Sequence, residues 1–126
     1  MLKLYKSIFL TVIIFIIVLL AGVPLPVKIN NSCLPDKFDL SQNFPNPFNT
    51  QTKIKFEVLF NSKVSVSIFN ILGVKISTPV EENLKPGYYE FVYDASDLSS
   101  GIYFYKFIAE RVNERIIFTK KFTLIK

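Results

Sequence analysis

The stretch TKIKFEV, Thr52 to Val58, alternates without a break: Ile54, Phe56 and Val58 fall on one side, Lys53, Lys55 and Glu57 on the other. Successive side chains of a strand point to opposite faces, so this pattern predicts a strand with one buried face. The same period returns in KVSVSIF, where Val64, Val66 and Ile68 oppose Ser65 and Ser67. Between the two runs, FNSK supplies turn chemistry, and the two strands are expected to pair as a hairpin. No stretch beyond residue 24 keeps a helical period over two turns. That absence limits the chain to β architecture.

The remaining runs extend the pattern. In NILGVKIST, Gly73 suits a position with positive φ, and Val74 and Ile76 open a short third strand. LKPGYYEFVYD sets Pro86 and Gly87 as the central pair of a type II turn, ahead of a strand with Tyr89, Phe91 and Tyr93 on one face. In DASDLSSG, Asp94 and Ser96 can close side-chain-to-backbone turns, and Gly101 releases the chain into IYFYKFIA. There Ile102, Phe104 and Ile108 oppose Tyr103, Tyr105 and Phe107; both faces are apolar, which predicts a central strand. After the polar turn ERVNER, the run IIFTKKFTLIK sets Phe118, Lys120, Phe122 and Leu124 against Ile117, Thr119, Lys121 and Thr123. A weaker run from Phe38 to Phe44 adds a seventh strand to these six. Turn signals every 8 to 14 residues then predict an antiparallel, immunoglobulin-like β-sandwich of about seven strands.

Ahead of this module lies a different kind of segment. Lys3 and Lys6 precede an apolar run from Ile8 to Gly22 that only Thr11 interrupts. Residues 1–23 therefore read as a secretory signal peptide, or as a hydrophobic anchor helix if it is not cleaved. Export through the general secretory machinery follows, with Lys3 and Lys6 on the cytoplasmic side. Residues 24–38, rich in proline and asparagine, read as an extended linker, and residues 39–126 as the folded domain.

Beyond Pro24 the chain carries 13 basic and 10 acidic residues, a net of +3. The lysines are scattered along alternating strands, apart from a local patch of Lys120, Lys121 and Lys126, so nucleic acid is not an expected partner. Cys33 is the single cysteine, which forbids an internal disulfide, and it lies too far past the apolar run to be a lipidation site. Histidine is absent, removing the usual general base and the Ser-His and Cys-His nucleophile pairs. Asp94 and Asp97 suit a turn better than a catalytic pair or a calcium loop, and the four glycines are isolated, so no phosphate loop exists. No catalytic, cofactor-binding or metal-binding residue is expected, nor a small-molecule substrate.

LSQNFPNPFNT, Leu40 to Thr50, marks the start of the fold. Pro45 and Pro47 cannot donate ladder hydrogen bonds; Asn46 and Asn49 can close turns, and Phe44 and Phe48 can cap the sandwich end. This motif, followed in order by TKIKFEV, VSVSIFNILGVKI, LKPGYYEFVYDASDLSSGIYFYKF and TKKFTLIK, closely resembles the type A C-terminal sorting domain of the type IX secretion system. The residues that carry the resemblance are Pro45, Asn46, Pro47, Phe48, Asn49, Gly73, Gly87, Tyr89, Asp94, Ala95, Leu98, Ser100, Gly101, Tyr103 and Tyr105. Thr50 departs from it, standing where the family often repeats a proline.

The resemblance implies a non-catalytic β-sandwich that crosses the inner membrane and passes through the periplasm. The outer-membrane type IX translocon then recognises it, and a sortase-like peptidase follows, with delivery to the cell surface or release. Lys120, Lys121 and Lys126 are the candidate translocon contacts, because exposed basic side chains contribute little to a core. The alternative is a secreted structural or ligand-binding sandwich, like flagellar hook-capping or carbohydrate-binding modules. Only residues 24–38 separate the signal from the domain, so a minimal exported module or a piece of a longer gene product is expected.

Overall fold

A computed structural model describes residues 26–29 and 33–126; the expected signal or anchor helix over residues 1–23 lies outside the described residues. Eight strands follow in order: β1 (Val27–Ile29), β2 (Asp39–Leu40), β3 (Gln51–Val58), β4 (Ser62–Phe69), β5 (Lys75–Leu84), β6 (Gly87–Asp94), β7 (Gly101–Arg111) and β8 (Glu114–Leu124). They form two four-stranded sheets, β1-β6-β3-β2 and β5-β4-β7-β8, with every neighbouring pair antiparallel. No helix among the described residues is long and apolar enough to cross a membrane.

The buried faces are those that period two predicts. Ile54, Phe56 and Val58 of β3 and Tyr89, Phe91 and Tyr93 of β6 face Val64, Val66 and Ile68 of β4, Tyr105 and Phe107 of β7, and Phe122 of β8. Aromatic contacts join the sheets: the Phe56 and Phe107 ring centroids are 5.3 Å apart, and those of Tyr93 and Phe122 are 5.9 Å apart. Two strands start with a tyrosine that reaches back along the chain. The Tyr89 hydroxyl donates to the Lys85 carbonyl at 2.7 Å, and the Tyr103 hydroxyl donates to the Ser99 carbonyl at 2.6 Å.

Several expectations need correction. TKIKFEV and KVSVSIF do not pair; β3 lies in one sheet with β6, β4 in the other between β5 and β7. The link between them crosses the sandwich, and Leu59 and Phe60 in it pack on the core instead of forming a polar hairpin turn. Phe60 meets the Phe38 ring edge-on at 5.7 Å and carries the Arg111 guanidinium over its ring at 3.9 Å. Pro86 and Gly87 are not a type II turn, since Gly87 lacks the positive φ such a turn requires and opens β6 opposite Val58. It also lies close under β1: a Cβ there would sit 2.8 Å from Cε of the flexible Lys28 side chain, which would have to shift.

β1 itself comes from the stretch read as a linker, where Val27 to Ile29 pair with Tyr88 to Glu90. The third strand is longer than expected: β5 runs ten residues as a sheet edge, where Pro79 removes no needed ladder donor, while Val74 and Ile76 are exposed. β7 is internal, as expected, but its second face is not buried: Ile102 is exposed, and Phe104 and Ile108 are only partly covered. Among the described residues no element covers the outer face of that sheet. The seventh expected strand is β2, extended by an isolated bridge between Phe44 and Lys53.

Candidate functional site

The opening motif, Gln42 to Asn49, does not stand apart from the fold; it clasps the end of β8. The Asn46 side-chain oxygen accepts the Thr123 amide at 3.0 Å, and the Phe48 amide donates to the Thr123 carbonyl at 3.1 Å. The Ile125 amide donates to the Phe48 carbonyl at 2.9 Å, so Phe48 and Leu124 form a parallel bridge. Gln42 Nε2 reaches the Lys121 carbonyl at 2.7 Å. The Lys121 carbonyl, the Thr123 amide and carbonyl and the Ile125 amide, which an edge strand would otherwise leave open, are thereby occupied. Both X-Pro bonds of the motif, Phe44-Pro45 and Asn46-Pro47, are cis.

Apolar packing divides the two phenylalanines. Phe48 is buried against Phe122 with centroids 5.1 Å apart, whereas Phe44 is exposed and caps nothing. Asn46 spends its side chain on β8 and closes no turn of its own. Thr50 holds φ at 72°, a value that a proline ring, fixed near −65°, cannot adopt; the departure from the family pattern therefore suits this backbone.

Beneath the motif lies a buried polar network. Asn43, 2% exposed, donates from Nδ2 to Thr52 Oγ1 at 3.0 Å and to the Pro45 carbonyl at 3.1 Å; Thr52 Oγ1 donates to the same carbonyl at 2.8 Å. The Tyr105 hydroxyl accepts the Asn43 amide at 2.9 Å and donates to the Ser41 carbonyl at 2.8 Å, tying β7 to the motif. Burial pushes this hydroxyl up to about 12, with the hydrogen bond from Asn43 opposing the rise. Gln42, Asn43 and Thr52 escaped the sequence reading. Thr52 carried a signal, because it continues the buried row of Ile54, Phe56 and Val58, and a polar group on that face needs a partner.

The remaining family-matching residues occupy turns and the core. Gly73, at φ 79°, sits in the β4–β5 turn with its amide on the Asn70 carbonyl at 2.9 Å. Asp94 accepts the Ser96 amide at 2.9 Å, which holds its carboxyl below the ordinary carboxylate range. Ala95 is fully buried, and its carbonyl accepts the Leu98 amide. Ser100 Oγ accepts the Lys126 amide at 2.9 Å, and Gly101 pairs with Leu124. Asn49 is exposed. Most of these residues thus meet the opening motif or the chain end at one end of the sandwich.

The three lysines do not form one patch. Lys120 falls in the inward row between Phe118 and Phe122, Lys121 points outward opposite Phe104, and Lys126 donates from Nζ to the Ser96 carbonyl. Alternation along β8 separates the first two onto opposite faces. Among the described residues no group of three metal-ligating side chains comes together.

The model of the family described as "Secretion system C-terminal sorting domain" matches residues 42–122. The chain belongs to that family. The match starts at Gln42, the first residue of the clasp, and reaches Phe122, the aromatic centre of β8. Membership implies a sorting signal for the type IX secretion machinery and export to the cell surface or the medium. The family is a sorting-signal family and in general not a catalytic one. No curated protein matches the chain.

Proposed function

We propose that this chain is a non-catalytic sorting module. Its amino-terminal segment engages the general secretory machinery, and its folded part is recognised in the periplasm by the outer-membrane type IX translocon, with surface attachment after processing by a sortase-like peptidase. The observation that carries the reading is the family match over residues 42–122, which spans the opening motif and most of β8, up to Phe122. The fold itself is of immunoglobulin-like type. In support, β3 and β6 share one sheet while β4, β7 and β8 share the other, and Tyr103 at the start of β7 hydrogen-bonds the chain just upstream.

Exposed basic groups late in the chain are the contact candidates, with Lys121 foremost among Lys120, Lys121 and Lys126, because it alone points outward from β8 without a backbone tether. For the ligand-binding alternative, Tyr103, Tyr105 and Phe107 offer no stacking surface, since they are core residues. A reporter fused ahead of residues 24–126 behind a signal peptide tests the proposal. It reaches the surface only in cells with an intact translocon; surface delivery in cells lacking it overturns the reading.

A further inference from the structure

The β4–β5 turn, Asn70 to Val74, projects three aliphatic side chains into solvent: Ile71 is 67% exposed, Leu72 83% and Val74 57%. A turn normally needs water for its backbone groups, but this one satisfies most of its own amides. The Asn70 side-chain oxygen accepts the amides of Leu72 and Val74, each at 3.0 Å. The Asn70 amide donates to the Val74 carbonyl at 3.0 Å, and the Gly73 amide to the Asn70 carbonyl at 2.9 Å. Of the turn's five amides only that of Ile71 is left over, while the carbonyls of Ile71, Leu72 and Gly73 have no partner among the described residues. Most of its amides therefore lose little on leaving bulk water, the Ile71, Leu72 and Val74 side chains carry no polar group to lose, and the three open carbonyls suit a hydrated boundary zone.

Behind the tip, on the uncovered outer face, a row crosses all four strands of the sheet. Lys75 pairs with Phe69, Phe69 with Phe104, and Phe104 with Lys121. At the usual strand spacing the two lysines are roughly 14 Å apart. Lys106 adds a third cation to this face, its Nζ 5.0 Å above the Phe69 ring. The ion pairs among the described residues join Lys53 to Glu90, Lys63 to Glu81, Arg111 to Glu114 and Arg115 to Glu110, and none uses Lys75, Lys106 or Lys121. Asp94 lies at the same end of the sandwich but on the other sheet, where Lys126 faces it.

We propose that the Asn70–Val74 turn, backed by Lys75, Lys106 and Lys121, is a tip that dips into the interfacial zone of an anionic lipid membrane. Aliphatic groups foremost and cations set behind them is the order in which a bilayer offers its acyl boundary and its phosphates. A protein pocket specific for this tip would find no hydrogen-bonding side chain at its apex to read. This inference goes beyond the sorting role and does not rest on it.

The test uses the full chain with Cys33→Ser and an environment-sensitive fluorophore on Leu72→Cys, or on Val112→Cys as control. Val112, 88% exposed, lies in the β7–β8 turn at the opposite end, and both chains share the amino-terminal apolar segment. With phosphatidylglycerol vesicles the Leu72→Cys label shifts to the blue and the Val112→Cys label does not; phosphatidylcholine vesicles or added salt abolish the shift. Adding Lys75→Gln, Lys106→Gln and Lys121→Gln raises the lipid concentration needed by roughly a hundredfold, at about fivefold per cation. A Leu72→Cys label that stays in water with anionic vesicles, or a shift equal at both positions or unchanged by the triple substitution, overturns the proposal.

Discussion

Tyr105→Phe isolates the bond that couples β7 to the opening motif. The ring is fully buried and sits 6.1 Å from that of Phe122, so phenylalanine fills the same space and leaves no cavity. What disappears is the hydroxyl, and with it the partner of the buried Asn43 amide and a donor to the Ser41 carbonyl. An unpaired buried donor costs about 1–3 kcal/mol, so a loss of about 2 kcal/mol is expected near neutral pH. In urea the unfolding midpoint falls by roughly 1–2 M for a domain of this size.

The pH dependence makes the same point independently. The folded protein holds the Tyr105 hydroxyl up to about 12, above its ordinary value near 10, so folding favours the neutral form. Stability from this group is complete below about pH 10 and is lost as pH rises from there toward about 12. Over that window the wild type surrenders an amount on the order of 2–3 kcal/mol that Tyr105→Phe never had. Urea melts of both proteins at pH 8 and pH 11.5 therefore show a gap that narrows at the higher pH. A gap below about 0.5 kcal/mol at pH 8, or the same gap at both values, refutes the reasoning.

Two further substitutions probe the ends of the fold. Phe48→Ala removes a buried ring from the face of Phe122 and is expected to cost about 3–5 kcal/mol in chemical denaturation, with faster amide exchange at Thr123 and Ile125. Gly87→Ala drives a methyl against the flexible end of Lys28; global stability changes by less than about 1 kcal/mol, while hydrogen exchange shows β1 released and the β3–β6 ladder intact.

Strand positions were legible because a single buried face imposes period two, and β3, β6 and β8 keep that period along their length. Partners were not, because alternation says which side chains face the core and nothing about which strand completes the ladder. A hairpin and a crossing between sheets leave the same pattern in β3 and β4. The discriminating signal lay in the link: Leu59 and Phe60 are too apolar for a tight hairpin turn, and in the fold both lie against the core. Long contacts were hidden for a related reason. Gln42 and Lys121 stand 79 positions apart, and no local rule joins an amide side chain to a distant strand edge.

That distance decides how the sorting role can be dissected. Removing the final FTLIK deletes Phe122 and Leu124 from the core and strips Asn46 and Phe48 of their partners on β8. Such a truncation unfolds the opening motif together with the chain end, so a block in export after it reports lost folding as much as lost recognition. Lys121→Glu avoids the confusion. Its side chain is exposed, it belongs to no ion pair among the described residues, and the bond from Gln42 to its backbone carbonyl survives the change. The expected outcome is a chain that resists protease like the wild type yet accumulates in the periplasm. Normal export of a folded Lys121→Glu chain would remove Lys121 from the contact surface.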